Sequence, residues 1–181
     1  MTELITVGHG TLSQDAFVEL LRQAEVRAVV DVRIAPGSRR SPHFLREALE
    51  RWLPEAGVGY RWEQALGGFR PEPLVVLDTA LRNASFRAYA AYMRTPEFQA
   101  ALRGMLASAE ETRTAVMCSE TVWWRCHRRL IADHATLLDG VAVHHLMPPG
   151  RLAPHAVTHG VRVAGTSLLY DRTDEDSASS G

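Results

Sequence analysis

Both cysteines of the chain fall within twelve residues, Cys118 to Arg129, together with Glu120, His127 and three arginines. A thiol among cationic neighbours is the setting in which sulfur ionises and becomes a nucleophile or redox group. An apolar run, Ala115-Val116-Met117, enters the stretch, and an apolar-periodic run leaves it toward Leu138. That order predicts a strand ending at Cys118 and a helix starting near Cys126, whose N-terminal dipole adds to the positive field. Spacing removes several familiar sites. A phosphate-gripping Cys-x5-Arg loop fails because Trp124 holds the sixth position and Arg125 comes one residue late. Cys-x-x-Cys is absent, which disfavours a thioredoxin-type centre. Cys118, Cys126 and His127 would give three zinc ligands at an unusual spacing with a remote fourth, so no metal is expected. Glu120, the stretch's only carboxylate, is a candidate general acid or base. Cys118 is a candidate nucleophile or a small core residue. Trp123 and Trp124 suit stacking on a base or sugar, or covering the core or a dimer contact.

Reactive residues need elements to bring them together, and in open α/β sheets ligands bind beyond the carboxyl ends of the strands. Leu4-Ile5-Thr6-Val7 reads as a strand ending in Gly8-His9-Gly10, with His9 a candidate for proton transfer. Its glycines either let the backbone approach a ligand or simply turn the chain. Ala28–Val32 reads as a second strand that delivers Asp31 and Arg33 to one face, where they pair or where Arg33 meets an anion. The loop after it carries Arg39 and Arg40. With Arg128, Cys126 and His127 at the helix start, Asp31, Arg33 and Arg39 complete the candidate anion-binding set. His144-His145 ends a last strand over 141–146.

Between these strands, helical periodicity appears over 15–24 behind Ser13, over 44–55, over 85–94, and after Thr95-Pro96, a capping residue followed by proline at the first helical position. A further strand is read over 58–62, and 67–71 is a loop. Strands alternating with helices predict an α/β fold. We expect a single domain over 1–170, with a mostly parallel sheet flanked by helices in Rossmann-like layers. The acidic, serine-containing tail, 171–181, is expected to be disordered. No apolar run reaches the ~20 residues of a membrane span, and the N-terminus has no signal-peptide pattern. A cytoplasmic location and no membrane partner follow as expectations. Net charge is −1 and the pI about 6.7, which argues against a whole-protein field for nucleic acid. All 20 basic residues are arginine. A Schiff-base lysine and a P-loop lysine are therefore excluded, and anions must be held by arginine, histidine or backbone N–H groups.

Thr6-Val7-Gly8-His9-Gly10-Thr11, then Asp31-Val32-Arg33 with Pro36 and Ser38, then Phe86–Tyr92 with Met93, then Met117-Cys118-Ser119-Glu120 and Cys126-His127-Arg128, resemble in order the bacterial and archaeal family called domain of unknown function 488. The resemblance runs from about residue 4 to about 146. Gly10 stands where the family commonly has Ser, and Val122-Trp123 where Asp-Pro is more usual; the first removes a hydroxyl and the second alters the loop above the cysteines. The resemblance implies an α/β fold and a soluble protein, and no established activity or cofactor. The residues themselves point first to an enzyme acting on a phosphate-bearing small molecule, nucleotide or nucleic-acid component. A non-catalytic nucleic-acid-binding module and a thiol-redox or metal-binding protein are the alternatives. Nothing in the sequence specifies an oligomeric state.

Overall fold

The apolar runs build one sheet. In the computed structural model, which describes residues 2–178, strands β1 (Glu3–Gly8), β2 (Ala28–Asp31), β3 (Gly59–Trp62), β4 (Thr114–Cys118) and β5 (Ala142–Met147) lie parallel in the order β3-β2-β4-β1-β5. Strand β6 (Arg151–Pro154) adds antiparallel at the β5 edge, and β7 (Val161–Ala164) and β8 (Ser167–Tyr170) pair as a separate hairpin. Six helices accompany them among the described residues: α1 (Gln14–Gln23), α2 (Arg46–Glu55), α3 (Ala84–Met93), α4 (Pro96–Glu111), α5 (Arg128–Leu137) and α6 (Asp174–Ala178). The chain is a single α/β domain with a mostly parallel sheet flanked by helices, as the alternation of elements predicts.

The caps work as the sequence implies. Ser13 accepts a hydrogen bond from Ala16 N, and Thr95 accepts from Phe98 N ahead of Pro96. Alternation along the buried strands sorts the core into two layers. Ile5 and Val7 of β1 and Ala115 and Met117 of β4 pack with Phe17 of α1 and Leu49 and Leu53 of α2. Leu4, Val116 and Cys118 face the other way, with Tyr89 of α3, Leu102 of α4 and Leu130 of α5. Each buried aliphatic or aromatic side chain contributes about 1.5–3 kcal/mol, so the strands are fixed from both faces.

The strand order also opens the site. Strand β1 continues through α1 to β2 on one side, and β4 continues through α5 to β5 on the other, yet β1 and β4 are neighbours. The two connections leave these adjacent strands toward opposite faces of the sheet, α1 on one and α5 on the other, and ligands of open sheets bind beyond such carboxyl ends.

Strands β6 to β8 were not anticipated. Arg151-Leu152-Ala153-Pro154 buries neither face and has proline at its end, as edge strands permit. The hairpin turn Gly165-Thr166, with Gly165 at φ +63°, carried the better signal. In the acidic tail, Asp174–Ala178 is helical; residues 179–181 of the segment expected to be disordered, 171–181, lie outside the described residues. No helix among the described residues is long and apolar enough to cross a membrane.

Candidate functional site

A cavity of about 540 Å³ opens at the carboxyl ends of β1, β2 and β4. Six of the sequence-predicted site residues line it: His9, Arg33, Cys118, Glu120, Cys126 and His127. Three do not. Asp31 is fully buried behind Arg33, Arg128 is fully buried behind the sulfurs, and Arg39 is exposed on its loop outside the lining.

Strand pairing continues past the strand ends and sets this geometry. His9 N donates to Cys118 O, Gly10 N to Ser119 O, and Val32 N to Met117 O. Gly8 is where the chains come closest. A Cβ there would lie 1.8 Å from Glu120 O and 2.8 Å from Arg128 Nη1. The glycines of Gly8-His9-Gly10 thus admit the protein's own cysteine loop, whereas the sequence suggested a ligand or a plain turn.

Arg33 is committed before any ligand arrives. Its Nη2 lies 2.6 Å from Asp31 Oδ2 and its Nε 2.9 Å from Asp31 Oδ1, while Tyr60 donates to the same carboxylate. Of the two options at this pair, the ion pair is the one formed. The remaining Nη1 lies 3.4 Å from His9 Nε2. His9 Nδ1 faces the Gly10 carbonyl at 2.9 Å, which can only accept, so Nδ1 carries the proton and Nε2 is the acceptor. The ring stacks on Phe44 with centroids 4.2 Å apart. Burial, and then the Arg33 charge, outweigh the Gly10 bond and lower the His9 pKa to about 4. His9 is therefore neutral near neutral pH and holds Arg33 in place.

The two sulfurs meet. Cys118 Sγ, at the end of β4, and Cys126 Sγ, just before α5, lie 2.7 Å apart, and both thiols are free. Arg128 Nη1 donates to Cys118 Sγ at 2.6 Å and to the Glu120 carbonyl, and Nη2 donates to the Thr121 carbonyl at 2.9 Å. Arg128 Nε is buried without a hydrogen-bond partner. Among the described residues no carboxylate lies within ion-pair distance of this guanidinium. Burial pushes the Cys118 thiol well up, and its bond with Cys126 adds to that. At Cys126 burial works the same way, but the bond with Cys118 and the Arg128 charge outweigh it, and the pKa falls. The two thiols are thus coupled, with Cys118 the harder of the pair to ionise and Cys126 the easier.

His127 completes this wall. Its Nε2 faces the Val32 carbonyl at 3.0 Å, so Nε2 donates, and Nδ1 lies 3.6 Å from Cys126 Sγ. Burial holds its pKa below the usual histidine range. Glu120 is exposed at the rim, where its Oε1 accepts from Val122 N at 3.3 Å.

Other lining residues escaped sequence reasoning. Arg125 is exposed in the lining and has no ion-pair partner among the described residues. Its place in the cysteine stretch was the available signal. Phe69, Phe86 and Tyr89 supply aromatic surface. Tyr89 is also a core residue of α3, with its hydroxyl donating to Leu66 O at 2.7 Å. Phe69 arrives on an irregular loop at φ +57°, with no periodicity to mark it. The tryptophans separate: Trp123 stacks on His145 at 4.1 Å and 3°, whereas Trp124 meets it edge-on and is 50% exposed. Among the described residues no three His, Cys, Asp or Glu side chains are grouped to hold a metal ion.

Searches of curated proteins and of solved structures return no match. The model of one family, domain of unknown function DUF488, matches residues 13–135, and with two thirds of its length inside that match the chain belongs to this family.

Proposed function

We propose that the cavity is the active site of a cytoplasmic enzyme that binds a small phosphate-bearing molecule of nucleotide size and attacks it with the Cys126 sulfur. The observation that carries this reading is Arg128. A buried charge without a counter-charge costs several kcal/mol. Arg128 is fully buried, and its partners are two carbonyls and a sulfur. A thiolate shared by Cys118 and Cys126 supplies the missing anion, and the fold then holds a nucleophile ready at neutral pH. A reducing compartment keeps both thiols free.

The rest of the cavity supports a substrate of this kind. Its volume falls within the usual range for small-molecule sites, about 300–1,000 Å³. Arg125 is uncommitted and takes the phosphate. Phe69, Phe86 and Tyr89 offer ring faces and edges to a base, and Glu120 stands at the rim to accept or return a proton.

Alkylation tests both halves at once. Iodoacetate should modify Cys126 about tenfold faster than free cysteine at neutral pH, and faster than neutral iodoacetamide does. Arg125→Ala should erase the preference for the charged reagent, and a nucleoside monophosphate should protect the thiol. Alkylation at the rate of an ordinary cysteine, rising with pH as an ordinary thiol does, would refute the proposal.

A further inference from the structure

Catalysis by one thiolate does not require a second thiol in contact with it. Yet Cys118 and Cys126 come from different parts of the fold, the end of β4 and the loop just before α5, and the fold sets their sulfurs 2.7 Å apart inside the cavity lining. Neither sulfur has to travel to reach the other. We infer that Cys118 and Cys126 form a reversible dithiol–disulfide couple, held toward its reduced form by Arg128, that exchanges electrons with small-molecule disulfides. The inference rests on the thiolate proposed above and gives that site a redox control, because the disulfide removes the nucleophile.

The chemistry balances without a further co-reactant. The Cys126 thiolate attacks one sulfur of the small disulfide, the disulfide bond breaks, and one thiolate leaves. Cys118 gives up its proton to that leaving thiolate and attacks Cys126 Sγ. The protein disulfide forms, and the second small thiolate leaves. The two protein sulfurs lose two electrons, and the small disulfide gains them.

Arg128 sets the direction in which this couple leans. In the reduced form the buried guanidinium faces an anionic sulfur pair. In the disulfide that anion is gone, and Arg128 is left with the Glu120 and Thr121 carbonyls and an unpartnered Nε. Whatever stabilises the reduced form over the oxidised one makes the couple more oxidising. The other titratable groups facing the sulfurs are His127 at the start of α5, Glu120 in the preceding loop and Tyr89 on α3. Neutral His127 and the high-pKa Tyr89 hydroxyl add no charge near neutral pH. Glu120 opposes the thiolate from the rim.

The test equilibrates the full chain in reduced and oxidised glutathione at graded ratios and counts free thiols by mass spectrometry after acid quench. Two thiols should disappear together in one reversible transition. Because the reduced pair holds one proton, forming the disulfide and two neutral glutathiones consumes one proton from solution. The equilibrium constant for oxidation should therefore fall about tenfold per pH unit on the acid side of the glutathione pKa. A constant that does not change with pH would mean two neutral thiols and would overturn the inference. Arg128→Met should move the equilibrium toward the disulfide by at least about tenfold, about 30 mV for two electrons. An unchanged equilibrium in a folded Arg128→Met would also overturn it. If that variant does not fold, the pH dependence of the unaltered protein decides. Thiols that stay free at every ratio would reject the couple, while rapid iodoacetate alkylation of the same sample would leave the thiolate enzyme standing.

Discussion

Helix α5 carries two fully buried chargeable side chains, Arg128 and Asp133, and the protein surrounds them in opposite ways. Around Asp133 every polar atom is met. Its Oδ1 accepts from His155 Nε2 at 2.7 Å and Thr158 N at 2.9 Å, and its Oδ2 accepts from the Tyr170 hydroxyl at 2.9 Å. Because a carboxylate accepts, His155 Nε2 carries a proton. His155 Nδ1 then accepts from His145 Nε2 at 2.9 Å, and His145 Nδ1 accepts from the Thr6 hydroxyl at 2.6 Å. The chain of hydrogen bonds thus runs unbroken from Thr6 to Asp133. Around Arg128 the accounting stays open: a sulfur, two carbonyls, one unpartnered nitrogen and no carboxylate. A closed polar network fixes structure, and an open one marks where a further group acts. The closed network draws His145, His155, Thr158 and Tyr170 from beyond the family match, whereas Cys118, Glu120, Cys126 and Arg128 all lie inside it.

The sharpest way to separate the two regions is to break the closed one. Asp133→Ala strands three donors in the interior and should cost about 3–5 kcal/mol in denaturant unfolding. The folded protein should keep the alkylation rate of Cys126, since Asp133 does not line the cavity. A slowed thiol with little loss of stability would mean that both clusters form one functional network.

Acid should tell the regions apart by a smaller margin. Burial, and then His155, hold the His145 pKa at about 3, against an ordinary 6.5. His9, in the open region, sits at about 4. Both rings are neutral in the folded protein at pH values where the unfolded chain binds protons, so stability is full above about pH 6.5 and is lost as pH falls. Between about pH 4 and 5.5 the two together give a slope of up to about 2.7 kcal/mol per pH unit. His127 acts in the same direction. His145→Asn should remove about 1.4 kcal/mol per unit of that slope, and His9→Asn an equal part over the same window. Unfolding free energies measured across this range check it. An unchanged slope in His145→Asn would show that this histidine takes up its proton with little penalty in the fold.

Much of the open region was legible because its residues are close in sequence or sit at strand ends. The stretch from Cys118 to Arg129 announced itself by composition, and β1 and β2 announced His9 and Arg33 by ending there. Direction was not legible. Arg128 was read as an anion ligand, but helical phase turns it inward beneath Cys118. Asp31 and Arg33 share a face, and that left open whether Arg33 was free; Tyr60, from β3, helps hold the carboxylate that claims it. The closed region was almost invisible. Asp133 sits mid-helix, Tyr170 ends a short strand, and His155 follows an edge strand with proline, so only tertiary packing joins them. The helical runs survived translation best, since caps such as Ser13 and Thr95-Pro96 act locally.

The adjacent tryptophans carry the same contrast down to its smallest effect. Trp123 lies flat on His145 and belongs to the closed network; Trp124, one residue on, is half exposed and stacks on nothing in parallel. Trp123→Ala should lose about 0.5–1.5 kcal/mol of ring contact beyond its buried area, while Trp124→Ala should stay within about 0.5 kcal/mol. A larger cost at Trp124, growing with protein concentration, would place a second copy of the chain over it. The same substitution weighs the nucleic-acid reading. A base stacked on Trp124 would contribute about 1–3 kcal/mol, so a binding module would lose oligonucleotide affinity with Trp124→Ala and show steep salt dependence. With a net charge of −1, one of the two rings turned into the fold and Arg33 committed to Asp31, we expect neither. The exposed ring then marks the outer edge of the cysteine loop, where the tightly paired interior gives way to the open side of the cavity.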